Sequence, residues 1–160
     1  MEKNKRNTDM NEDKDFEEIA KTIQRMIDRE EEAIYSRVVI REYRNPSNLG
    51  FIEDPDVSSQ VTGICGDTMK ISLRIKNNRI IDACFWTDGC GATIASGSML
   101  TKMIKGKNIE KAADISDRKL LDALGGLPEE HRHCATLAVA TLQKAVKQYL
   151  EKKKNLGKKR

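Results

Sequence analysis

The 160-residue sequence contains no C-x-x-C pair, only three prolines, and an aromatic content of 4%. No apolar run approaches the roughly 20 residues that a membrane-spanning helix needs, so no membrane association is expected. The first fifteen residues mix Lys, Asp, Glu and Asn without an apolar segment, which argues against a secretory leader. Their acidic residues argue equally against a transit peptide. Aromatic side chains for base stacking are missing near the basic residues, so nucleic-acid binding is not expected. No internal repeat is present. These absences point to a cytoplasmic protein, where thiols stay reduced and clustered cysteines serve metals or catalysis more often than disulfides.

What the chain has in quantity is charge. Charged residues make up 34% and apolar residues 38%, the mixture of a small helix-rich domain with polar extensions. The net charge of +4 comes largely from Lys152 to Arg160, read as a solvated end. The length suits one domain with a core of its own and is too short for two ordinary ones. Residues 1–12 are polar and predicted disordered. From Asp15 onward, Phe16, Ile19, Ile23, Met26 and Ile27 recur at three- and four-residue intervals, predicting an amphipathic helix that runs towards Ile34 and Tyr35. The expected organisation is an N-terminal extension over 1–34, a domain over 35–150 and a basic tail over 151–160.

Residues 61–87 read as strands. Met69, Ile71, Leu73 and Ile75 alternate with Lys70, Ser72, Arg74 and Lys76, the pattern of a sheet with one wet face. Asn77-Asn78 suits a tight turn. Simple alternation then puts Ile81, Ala83, Phe85 and Thr87 on one face of the return strand, and Ile80, Asp82, Cys84 and Trp86 on the other. Cys84 is therefore read as a surface or edge thiol. After Gly91 the period lengthens to a helix ending near Gly106, with Asn108 and Ser116 as N-caps of two short helices. A final helix starts at Pro128, with Leu137, Ala138, Leu142, Ala145 and Tyr149 facing inward. Strands first and helices after predict an α+β domain, with helices packed on one face of a small antiparallel sheet of about three strands.

Cys65, Cys90 and Cys134 each lie at a junction between predicted elements. Glycines at 63 and 66, and at 89 and 91, surround the first two, and His133 precedes the third. Glycine lets backbone pass close to a metal. The N-terminus of the final helix is expected to lower the Cys134 pKa. Three thiolates and an imidazole suit Zn²⁺ or iron–sulfur chemistry rather than Ca²⁺ or Mg²⁺. Permanent zinc or electron-transfer sites commonly use four strong ligands in C-x-x-C pairs. An incomplete thiolate set beside a carboxylate, Asp67, instead describes a site that can release what it holds.

Four segments carry a family resemblance: Y-S-R-V-V-I-R-E-Y-R-N-P-S-N-L-G from Tyr35, G-I-C-G-D-T-M-K-I-S-L-R-I from Gly63, D-G-C-G-A-T-I-A-S-G-S-M-L-T from Asp88, and H-C-A-T-L-A from His133. In this order they resemble the IscU/NifU family of iron–sulfur cluster assembly scaffolds, from about Tyr35 to about Leu150. The resemblance implies a SufE/NifU-like fold and a non-enzymatic scaffold. It implies that Cys65, Asp67, Cys90, His133 and Cys134 hold iron and a [2Fe-2S] cluster, with Zn²⁺ on the same ligands when no cluster is present. It implies sulfur delivery by an IscS/NifS-like cysteine desulfurase, with Cys134 as persulfide acceptor, and transfer of the cluster to apo-proteins. A homodimer, with [4Fe-4S] formed on dimerisation, stays open. The alternative is a zinc-stabilised persulfide relay that builds no cluster.

The chain departs from the family pattern at Leu127-Pro128-Glu129-Glu130-His131, where bacterial members carry Leu-Pro-Pro-Val-Lys. Two carboxylates there argue against docking of a dedicated Hsp70 chaperone. His131 takes the lysine's place near the expected site, where it could add a ligand.

Overall fold

The computed structural model describes residues 2–158, with side chains from residue 12 onward. The chain divides into two units, Met1–Ile34 and Tyr35–Arg160. Within the described residues the first unit is one helix, α1 (Glu2–Ile34). The helix begins at Glu2, within the stretch whose composition predicts disorder. The chain holds neither glycine nor proline before Pro46, so nothing in that stretch breaks a helical register. The apolar stripe of α1 is exposed, Phe16 at 73%.

In the second unit, helix α2 (Arg37–Arg44) begins at Ser36, whose Oγ accepts the Val39 N–H at 3.1 Å. Three strands follow as an antiparallel meander in the order β1 (Val57–Thr62), β2 (Thr68–Lys76), β3 (Arg79–Thr87). The β2–β3 turn is Asn77-Asn78, both at positive φ (51° and 61°), the conformation that a two-residue hairpin loop demands. One expectation for β3 fails. Ile80 is buried and Ile81 exposed, the reverse of simple alternation. Arg74 pairs with Asp82 but Ile75 with Ile80, so Ile81 is an extra residue that flips the phase, a β-bulge.

Helix α3 (Gly91–Ile104) lies against β3, and α6 (Arg132–Lys158) against β1 and β2, with α4 (Ile109–Ala113) and α5 (Asp117–Leu124) between them in sequence. Met69, Ile71, Leu73, Ile80, Phe85, Leu100, Leu120, Leu124 and Leu142 are fully buried between these layers. Each such side chain contributes about 1.5–3 kcal/mol relative to exposure. Asn108 and Ser116 cap α4 and α5 as expected, and Gly125 ends α5 in the left-handed region. Pro128 opens a 3-10 turn, Glu129–His131, and α6 follows from Arg132. The residues from 151 that look like a tail continue α6 as helix to Lys158.

The close fit of α3 depends on small residues. A side-chain carbon on Gly97 would collide with the Phe85 ring. The buried hydroxyls of Ser96 and Thr101 donate to their own helix's carbonyls at 2.8 Å, which removes the cost of burying them. Glu42 ties α2 to α3. Only 2% exposed, its carboxylate accepts Ser98 Oγ at 2.7 Å, Lys102 Nζ at 2.8 Å and Arg41 Nη2 at 3.0 Å. Burial alone would raise its pKa, but these donors outweigh it and hold the carboxyl below its ordinary value.

Candidate metal centre

Three junctions of this fold meet at one end of the sheet. Cys65 and Asp67 lie in the turn between β1 and β2, closed by Gly63 N–H to Asp67 O at 2.8 Å. Cys90 is the N-cap residue of α3, separated from the end of β3 only by Asp88 and Gly89. Cys134 is the third residue of α6. Antiparallel pairing of Thr68 with Thr62, and of Met69 with Thr87, brings the β1–β2 turn alongside the end of β3.

Thr93, one turn into α3, links the groups. Its Oγ1 lies 3.1 Å from Asp67 Oδ2, 3.3 Å from Cys134 Sγ and 3.6 Å from Cys90 Sγ. A hydroxyl donates one proton, so it serves these acceptors one at a time. Gly89 makes the convergence possible. A Cβ there would stand 2.7 Å from both Asp67 Oδ2 and Thr93 Cβ, so only glycine lets these two approach across the turn. Thr93 was absent from the sequence-derived set. Its signal is the spacing D-G-C-G-A-T, which puts a hydroxyl in the first helical turn facing the cysteine that precedes it.

All four cysteines are free thiols. Cys65 and Cys90 are exposed, Cys84 is half-buried on β3, and Cys134 is fully buried. Burial opposes ionisation of Cys90, but the Thr93 amide, the Thr93 hydroxyl and the Ala92 amide at the open end of α3 favour its thiolate more. Its pKa therefore sits below the ordinary thiol value. Burial pushes the Cys134 thiol up to about 12, the nearby Cys90 sulfur adding to the rise and the Thr93 hydroxyl opposing it. The helix-terminus effect expected at Cys134 thus operates at Cys90 instead. Cys134 faces the core from the first turn of α6, and loss of water outweighs the dipole there.

Of the residues singled out in the sequence, the structure gathers Cys90 and Cys134 tightly. It joins Asp67 to them through Thr93, and sets His133 Nε2 3.7 Å from Cys134 Sγ. Among the described residues, the group whose ligand atoms all lie within 4.8 Å of one another is Cys90, His131 and Cys134. Ligand atoms on a tetrahedral zinc stand about 3.5–3.8 Å apart, so a modest contraction would let this group close on a metal. The donors are thiol and imidazole, the chemistry of zinc and iron rather than of hard cations. No helix among the described residues is long and apolar enough to cross a membrane.

A family model described as NifU-like N terminal domain matches residues 34–156. The iron-sulfur cluster assembly scaffold protein IscU 1 of Archaeoglobus fulgidus is 44% identical over 126 residues, covering 78% of this chain and 82% of that protein. The scaffold protein IscU of Aquifex aeolicus is 40% identical over 121 residues, covering 74% and 77%. Among solved structures, a nitrogen-fixing NifU-like protein (N-terminal) from Brucella abortus superposes with a TM-score of 0.61, covering 74% of this chain and 96% of that one. At 21% identity this last likeness speaks to the fold alone.

Proposed function

The chain belongs to the family of NifU-like N-terminal domains, and on that footing we propose that it is a scaffold on which a [2Fe-2S] cluster is built and then passed to apo-proteins. The observation that carries the reading is the convergence of Cys90 and Cys134 on one threonine hydroxyl that also holds Asp67. Cys65, Asp67, Cys90, His133 and Cys134 are the proposed donors to iron, and to Zn²⁺ when no cluster is bound. Asp67 is a hard donor and a weak partner for iron, which keeps the cargo releasable. The relay that binds zinc and builds no cluster is the less favoured reading, because the relatives named above are cluster assembly scaffolds.

Sulfur arrives, in this proposal, as the sulfane sulfur of a desulfurase persulfide. The Cys134 thiolate attacks that outer sulfur. A new S–S bond forms, the old one breaks, and the desulfurase cysteine leaves as thiolate with no net electron transfer. The fully buried Cys134 is reached only if the turns carrying Cys65 and Cys90, the exposed side of the site, part to admit the donor. A nearby divalent metal favours the thiolate at Cys134 by displacing its proton.

Anaerobic mixing with a cysteine desulfurase, cysteine and Fe²⁺ tests the proposal. Thiolate-to-iron charge-transfer absorption is expected, lost in Cys65→Ser, Cys90→Ser and Cys134→Ser and kept in Cys84→Ser. Unchanged cluster yield in all three ligand variants would sink it. Asp67→Ala is expected to hold its cluster longer against a chelator than the unmodified chain. Faster loss would mean that Asp67 strengthens the site.

A further inference from the structure

We propose that His131 is a metal ligand of this chain, forming with Cys90 and Cys134 an inner three-donor subsite for a single Fe²⁺ or Zn²⁺ ion. The inference rests on reading this region as a metal centre and adds to it a residue outside the proposed donor set. Three observations carry it. First, the ligand atoms of Cys90, His131 and Cys134, all among the described residues, lie within 4.8 Å of one another.

Second, the backbone aims both histidines at one thiol. The 3-10 turn Glu129–His131, closed by His131 N–H to Pro128 O at 2.9 Å, gives way to α6 at Arg132. Across that change of pitch the side chains at 131 and 133 are half-buried. Arg132 between them is 59% exposed and turns out to Glu129, with Nε 3.3 Å from Oε2. His133 Nε2 lies 3.7 Å from Cys134 Sγ. Third, the His131 ring is oriented from its other side. It lies at 47° to the ring of Tyr35, with centroids 5.8 Å apart, and Tyr35 meets Tyr43 edge-on at 6.4 Å. An imidazole braced by an aromatic neighbour loses less freedom when it takes up a metal.

Two overlapping donor sets follow, sharing Cys90 and Cys134. The inner set uses His131. The outer set adds Cys65, Asp67 and His133. Three protein ligands leave a tetrahedral ion one open position, the arrangement of a reactive rather than a structural site. The inner set can therefore hold a first metal ion while Cys65 on its exposed turn stays free.

The chain has two histidines, which makes the test sharp. Zn²⁺ is loaded anaerobically onto the full, tag-free chain, and the atoms bound to it are read by X-ray absorption. In His133→Phe any imidazole on zinc must come from His131. One imidazole is expected there, and a zinc shell without nitrogen from imidazole overturns the inference. His131→Phe keeps a ring against Tyr35 and removes the donor. Zinc affinity by chelator competition is expected to fall at least about 10-fold, and equally in His131→Lys. Unchanged affinity in both His131 variants, with weakened binding in Cys90→Ser and Cys134→Ser, refutes His131 as a ligand and leaves the metal centre standing. Unchanged affinity in all four variants refutes the metal centre as well.

Discussion

Helix α3 carries a polar cluster near each end, and the two are built on opposite terms. Towards its C-terminal end, Ser98 and Lys102 meet the buried Glu42 carboxylate together with Arg41. There the protein supplies its own counter-charge, and the carboxyl ionises more readily than usual. At its N-terminal end, Cys90 and Thr93 meet Asp67 and the buried Cys134. There sulfur gathers around a single hydroxyl, and the buried thiol resists ionisation up to about pH 12. A buried charge with partners from its own chain ties elements together. A buried acid with acidic neighbours is arranged for a cation from outside. One helix thus separates a structural device from a chemical one.

The largest expected effect sets thiol against thiol within the second cluster. In the reduced, metal-free chain at pH 8, alkylation mapped by mass spectrometry should label Cys90 at least about 100-fold faster than Cys134, since the thiolate is the nucleophile. Comparable rates would mean that the site opens freely and that burial does not distinguish the two.

Next comes Glu42→Ala, expected to lower stability to urea by about 2–3 kcal/mol through loss of the carboxylate that pairs Lys102 and Arg41. Zinc affinity should not move. A matching loss of zinc binding would show that the two clusters act as one unit and break the comparison.

The two clusters should also fail at opposite ends of the pH scale. Glu42 has a folded pKa below its ordinary 4.5, so its contribution is present above 4.5 and lost as pH falls through the folded value. The Cys134 thiol is raised from 9.0 to about 12, so its contribution is present below 9.0 and lost as pH rises towards about 12. Denaturation midpoints across pH should lose part of the acid limb in Glu42→Gln and part of the alkaline limb in Cys134→Ala. Superimposable profiles for all three proteins would remove the assigned difference.

Features set by neighbouring residues were legible in the sequence, and features set by contacts across the fold were not. The inward-facing apolar residues of β2, the Asn77-Asn78 turn and the caps at Asn108 and Ser116 are local and appear as read, whereas Ser72, expected on the wet face of β2, is buried. The bulge at Ile81 was missed because pairing register, not composition, sets it. Glu42 lies among charges in a short helix and looks solvated until α3 covers it. In the site, the cysteines and their glycines were visible, whereas Thr93 became meaningful only when Gly89 let Asp67 approach it. The Cys134 pKa went the other way for the same reason. A helix terminus is a sequence-local feature, but burial depends on the packed domain.

The α3 N-terminal cluster is proposed to take up and release an iron–sulfur cargo. Iron, zinc and acid-labile sulfide analysis, with intact mass under native conditions, on chain purified anaerobically after reconstitution tests it most directly. Iron and sulfide are expected in equal amounts, bound to the chain and removed by an apo-protein acceptor. One tightly held Zn²⁺ per chain, with no sulfide after the same treatment, would contradict the proposal.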